Sequence, residues 1–116
     1  MHFLCKSQVL TCAPYAVTMG NAGLIVGLAA RHHLPTVCSD CYFVESGGLL
    51  SFGNNTADMF QRSASYIDRV LKGAKPADLP VQLPTKFELI INLKTARELS
   101  LHVPSMMLSR ADEVIE

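Results

Sequence analysis

With 116 residues, ten Lys plus Arg against ten Asp plus Glu, and 49% apolar residues, the chain has the size and make-up of one globular domain. It lacks the basic excess with which a nucleic-acid binder neutralises phosphates, so nucleic acid is not expected as a partner. No apolar run approaches the ~18 residues of a membrane span.

The first twenty residues, MHFLCKSQVLTCAPYAVTMG, show no clear element. A leader peptide needs a charged start, an unbroken apolar centre and a small-residue cleavage site, and VLTCA before Pro14 only faintly imitates one. Taken as it stands the chain has no export signal, and its four cysteines are expected to stay reduced.

NAGLIVGLAARHHLP reads as a helix, with Asn21 positioned to cap it and Leu24, Ile25, Leu28 and Ala29 forming one apolar face. Arg31, His32 and His33 close the helix and Pro35 forbids its continuation, so the His pair reads as a terminus and not as a chelate. PTVCS then has the β-branched, apolar character of a buried parallel strand.

Cys38 and Cys41, in VCSDCY, are spaced C-x-x-C and admit redox, zinc or purely structural readings. A redox pair needs a helix opening at the first thiol, whereas this pair follows a strand and YFVESGG is a poor helix start. A zinc site needs four ligands, and Cys5, Cys12, His32 and His33 match no finger spacing. Redox or zinc chemistry at Cys38 and Cys41 is therefore the lesser alternative.

In ESGGLLSFGNN, Gly47, Gly48 and Gly53 suit positive φ or close backbone approach, around a marginal strand at residues 49–52. The segment lacks both G-x-G-x-x-G and a G-K-[ST] ending, so it is no nucleotide loop. The clearest element is NTADMFQRSASYIDRVLKGAKP, capped by Asn55 or Thr56 and stopped by Gly73. Met59, Phe60, Ser63, Ala64, Ile67, Val70 and Leu71 recur at helical spacing, which predicts a core face. Pro76, Pro80 and Pro84 mark an extended connector, and KFELIINLK alternates as a strand. Asn92 caps a short helix after it, and Pro104 starts a last one running to the end. The order helix, strand, helix, strand, helix, helix implies α/β layering. Two good strands and one marginal one are too few for a complete parallel sheet, so the chain is expected to be part of something larger.

From about Val17 onward the sequence resembles the C-terminal part of bacterial ABC-transporter substrate-binding proteins with a type I periplasmic-binding fold. The resemblance is carried by LAARHHLPTV, FVESGGLLSFG and above all GAKPADLPVQLPTKFELIINLKTA. It implies an α/β fold, the C-terminal part of a two-lobed periplasmic-binding-protein-like architecture with a mostly parallel sheet. Residues 1–20 are then a poorly matching segment and residues 21–116 the C-terminal portion of the substrate-binding domain. Against the family pattern, Cys38 replaces an aromatic residue, Cys41 and Tyr42 an Arg-Glu pair, and Ser100 the glycine that ends a helix. A non-glycine residue in a left-handed cap costs on the order of 1 kcal/mol.

The resemblance implies no enzyme and no cofactor, but a small organic solute such as an amino acid held between two lobes and delivered to an ABC permease. The expected location is the periplasm, or the cytoplasm if the chain is made as given. The crevice rule for open α/β sheets directs attention to strand ends. Ser39 and Asp40 follow the first strand, Ser51 offers a hydroxyl, Phe52 a stacking face, Gly53 a bare amide and Glu45 a partner for a ligand amine. The alternatives are structural: Phe52 filling core, Ser51 bonding backbone, Glu45 simply solvated. The chain alone is expected to bind little, because half of the cleft is absent, and a truncated remnant without function is the rival reading.

Overall fold

The computed structural model describes residues 8–116, so Cys5 and the start of the leader-peptide reading lie outside the described residues. Internal contacts divide the chain into two units, one comprising residues up to Gly53 with Glu88–Glu116, the other Asn54–Phe87. The first unit alternates β1 (Leu10–Cys12), α1 (Ala16–Gly20), α2 (Ala22–Arg31), β2 (Thr36–Cys38), α3 (Cys41–Glu45) and β3 (Leu50–Asn54). After the second unit's helix α4 (Thr56–Leu71) it resumes with β4 (Phe87–Asn92), α5 (Leu93–Glu98), α6 (Ser105–Arg110) and β5 (Glu113–Ile115).

The strands form one sheet in the order β1-β2-β3-β4-β5. Helical crossovers of this kind return a strand parallel to its predecessor, and β1–β2, β2–β3 and β4–β5 are all parallel. Between β3 and β4 the sense reverses: the Asn92 amide donates to Leu49 at one end and the Asn55 amide to Lys86 at the other. The expected mostly parallel α/β sheet is present, with more strands than periodicity predicted.

Several expected elements shift. Residues 10–20 contain β1 and α1, where no element was expected; the Thr18 hydroxyl donates to the Ala13 carbonyl at 2.6 Å and helps to start α1. Asn21 does not cap α2, because its amide nitrogen donates back to the Val17 carbonyl. The buried face of α2 is Ala22, Val26 and Ala29, while Leu24 is 63% and Leu28 44% exposed. Small residues let the helix lie close to the sheet, where Ala22 and Val26 meet Cys38 and Phe43 in one core cluster. YFVE, a poor helix start by sequence, lies within α3. The expected terminal helix stops at Arg110 and gives way to β5. There Asp112 and Leu89 exchange two bonds, the Asp112 amide to the Leu89 carbonyl and the Leu89 amide to the Asp112 carboxylate, each 2.8 Å.

The first unit's interior is tied by polar groups as well as by Val44, Ile90, Ile91 and Ala96. Buried Asn92 accepts from the Thr95 amide, capping α5 as expected, and donates to the Val44 carbonyl of α3. The Thr95 hydroxyl donates to the Gly47 carbonyl, and buried Thr36 accepts from the Leu49 amide. Gly47 has φ +111°, and a Cβ on Gly48 would lie 2.7 Å from the Phe43 carbonyl, so both glycines are required by the turn itself.

Within the second unit Asn55 caps α4 by accepting from the Asp58 amide. Asp58 pairs with Arg62 and Lys86, and the Tyr66 hydroxyl donates to Pro80, which fastens the proline-rich segment along the helix. That segment holds a short 3-10 turn at Pro76–Asp78 and is otherwise irregular. The predicted core face of α4 is not buried among the described residues: Phe60 is 72% and Leu71 81% exposed.

Four helices end alike. In each, the amide three residues past the last helical residue bonds back across the terminus, Leu34 to Ala29, Gly48 to Phe43, Ala74 to Arg69 and Leu101 to Ala96. The left-handed residue is glycine in α3 and α4 (Gly47, Gly73), but His33 (φ 52°) in α2 and Ser100 (φ 56°) in α5. Ser100→Gly should therefore stabilise the chain by about 1 kcal/mol in urea unfolding. An unchanged or lowered midpoint would contradict the strain assigned to this cap.

Candidate functional site

Because β1, β2 and β3 run in parallel, their C-terminal ends share one edge of the sheet. Cys12, Cys38 and Ser51 form an in-register row across the three strands, and all three side chains therefore face the same side. That side is the core: Cys38 and Ser51 are buried, and Cys12 packs against the same cluster. Beyond this row β1 and β2 leave the sheet as Ala13–Pro14–Tyr15 and as Ser39–Asp40, while β3 continues through Gly53 to Asn54.

The structure brings Ser39, Asp40 and Gly53 together. A Cβ built on Gly53 collides with the Ser39 carbonyl, so the exit of β2 touches the end of β3 backbone to backbone and only glycine fits. Gly53 is thus explained first by this contact. Asp40 caps α3, its Oδ1 accepting from the Tyr42 amide at 2.9 Å, and Ser39 is exposed beside it. Ser51 has its side chain in the buried row, and Phe52, on the opposite face, is 57% exposed. Glu45 stands at the far end of α3, roughly 6 Å along the helix axis from Cys41. Tyr15 and Tyr42 are exposed near the exits of β1 and β2 and were not singled out by sequence. The signal for Tyr15 was the strand-like LTC before it, which three residues make too short to recognise.

The two thiols of C-x-x-C occupy different environments. Cys38 lies in β2, and burial together with a hydrogen bond to Cys12 pushes its pKa up to about 12. Cys41 opens α3, but partial burial and the neighbouring charges of Asp40, Glu45 and Glu88 raise its pKa as well. Neither is the acidified thiolate that a redox or nucleophilic pair requires. Among the described residues no group of three or more His, Cys, Asp or Glu is placed to hold a metal.

The sequence matches the family model described as ABC transporter substrate binding protein over residues 5–115. Among curated proteins none matches. A conserved domain protein from Vibrio cholerae O1 biovar El Tor has the same fold, with TM-score 0.87 at 25% identity over 94% of this chain and 37% of that one. An ABC domain from Streptococcus pneumoniae, solved in complex with L-Trp, is 36% identical with TM-score 0.72, over 78% of this chain and 32% of its own. A ligand-free, open substrate-binding protein with adhesive properties from Clostridium difficile shares the fold at 20% identity and TM-score 0.66, over 92% of this chain and 36% of that one. The chain spans about a third of the length of each.

Gly53→Ala tests the contact that assembles this edge. With no positive φ at Gly53, the cost is the collision with the Ser39 carbonyl alone, and urea unfolding should lose about 2 kcal/mol or more. A loss below about 0.5 kcal/mol would mean that β2 and β3 separate freely at their exits.

Proposed function

We propose that this chain, which belongs to the ABC transporter substrate-binding protein family, forms one wall of a solute cleft whose ligand is a small organic molecule of the amino-acid class. The family match across residues 5–115 carries the reading. Support for the ligand class comes from the 36%-identical relative that was solved with L-Trp. The work of such a protein is binding: two lobes close over the solute, and affinity resides in the closed state. No group here needs to react.

In this reading the edge at Ser39, Asp40 and Gly53 faces the ligand. The Ser39 hydroxyl is free to turn outward, and Asp40 keeps one carboxylate oxygen beyond its cap bond for a ligand ammonium. Phe52 offers an exposed ring for stacking. Ser51 supports the edge from its buried side, and Glu45 contributes negative charge from the other end of α3. The protein hands its solute to an ABC permease in the import direction, on the outer side of the cytoplasmic membrane.

The test is a chimera in which residues 5–115 replace the matching third of the L-Trp-complexed pneumococcal protein. Calorimetry should show micromolar binding of an amino acid, weakened ~10-fold or more by Asp40→Ala, since a lost charged hydrogen bond is worth that much. A folded chimera whose melting temperature is unmoved by a broad panel of amino acids and small solutes would defeat the proposed ligand class.

A further inference from the structure

Cys12 has no role in the proposed cleft, yet the register places it directly opposite Cys38 on the neighbouring strand. Adjacent strands lie about 4.8 Å apart, inside the Cα separation of roughly 4.4–6.8 Å that a disulfide spans. Both side chains leave the same face of the sheet and enter one cluster beneath α1 and α2. Cys41, by contrast, directs its sulfur to the Asp40 carboxylate at 3.9 Å and is exposed. The natural partner of Cys38 is therefore Cys12, separated from it in sequence by α1 and α2, and not the cysteine that follows it in C-x-x-C.

We propose that Cys12 and Cys38 are a closable dithiol, an intramolecular disulfide site that staples edge strand β1 to β2. β1 is only three residues long and is paired in the sheet on one side, so it is the strand a covalent link would change most. The oxidant is a low-molecular-weight disulfide such as oxidised glutathione. Half-buried Cys12 reacts first: it gives up its proton, its thiolate attacks the reagent's S–S bond, and one reagent thiol leaves. Cys38 then gives up its proton and attacks the Cys12 sulfur of the mixed disulfide, releasing the second reagent thiol. Two electrons pass from the two cysteine sulfurs to the reagent, and both protons end on the released thiols. Because burial holds the Cys38 thiol protonated, this second step is slow near neutral pH and quickens as pH rises.

The experiment uses the 116-residue chain and a Cys5→Ser/Cys41→Ser variant that retains only the two thiols in question. Each is treated with oxidised glutathione under native conditions, quenched by alkylation, and mapped as non-reduced peptides with fragmentation. The expected product is a Cys12–Cys38 link in both proteins, with the mass falling by about 2 Da as two thiol hydrogens leave. The thermal midpoint should rise by roughly 5 °C or more, reversibly with dithiothreitol. A glutathione adduct persisting on Cys12, a Cys38–Cys41 link, a disulfide-joined dimer or no reaction would each overturn the proposal. Mapping the unaltered chain keeps the result decisive even if the double variant does not fold.

Discussion

One buried side chain, Asn92, holds the first unit together. Its carbonyl oxygen caps α5 through the Thr95 amide, its amide nitrogen reaches the Val44 carbonyl in α3, and its backbone amide donates to the Leu49 carbonyl just before β3. Burying an amide is unfavourable unless its groups are satisfied, so each of these bonds enforces a position on a different element. Thr95 and Thr36 extend the network to the Gly47–Leu49 turn, and among the described residues no buried side-chain nitrogen or oxygen lacks a partner. Apolar packing alone would let α3 slide on the sheet; this network gives it one position.

The candidate site inherits that position. With α3 fixed at its C-terminal end, its N-terminal cap Asp40 is fixed too, and Ser39 is pressed against Gly53. The C-terminal ends of β1, β2 and β3 then lie along one edge, which is where an open α/β sheet meets small ligands. The second unit is organised differently. Its helix is held by a cap, ion pairs and the proline-rich segment, while its apolar residues stay exposed. The face that sequence periodicity marks so clearly is thus exposed among the described residues. The chain also spans only about a third of its structural relatives.

What was legible in the sequence was what local chemistry decides. α4, its Asn55 cap, the Gly73 stop, β4 and the Asn92 cap all follow from residue type and period. Less visible were elements too short to show a period, namely β1, α1, α3 and β5, which depend on tertiary bonds such as the Asp112–Leu89 exchange. The buried face of α2 was misjudged because hydrophobicity pointed to Leu24 and Leu28, whereas close approach to β2 selects Ala22 and Val26. At the site, Gly53 stood out as special, but its reason is the Ser39 carbonyl fourteen positions earlier in the chain (53 − 39). Cys12 opposite Cys38 was invisible for the same cause, since register is a property of the sheet and not of either segment.

The most direct measurement is urea unfolding of Asn92→Ala. Removing the side chain takes away a helix cap and leaves the Val44 carbonyl and the Thr95 amide without their partner, so the chain should lose about 2–4 kcal/mol. A loss of about 0.5 kcal/mol or less, the range of an ordinary surface change, would contradict the central place given to Asn92.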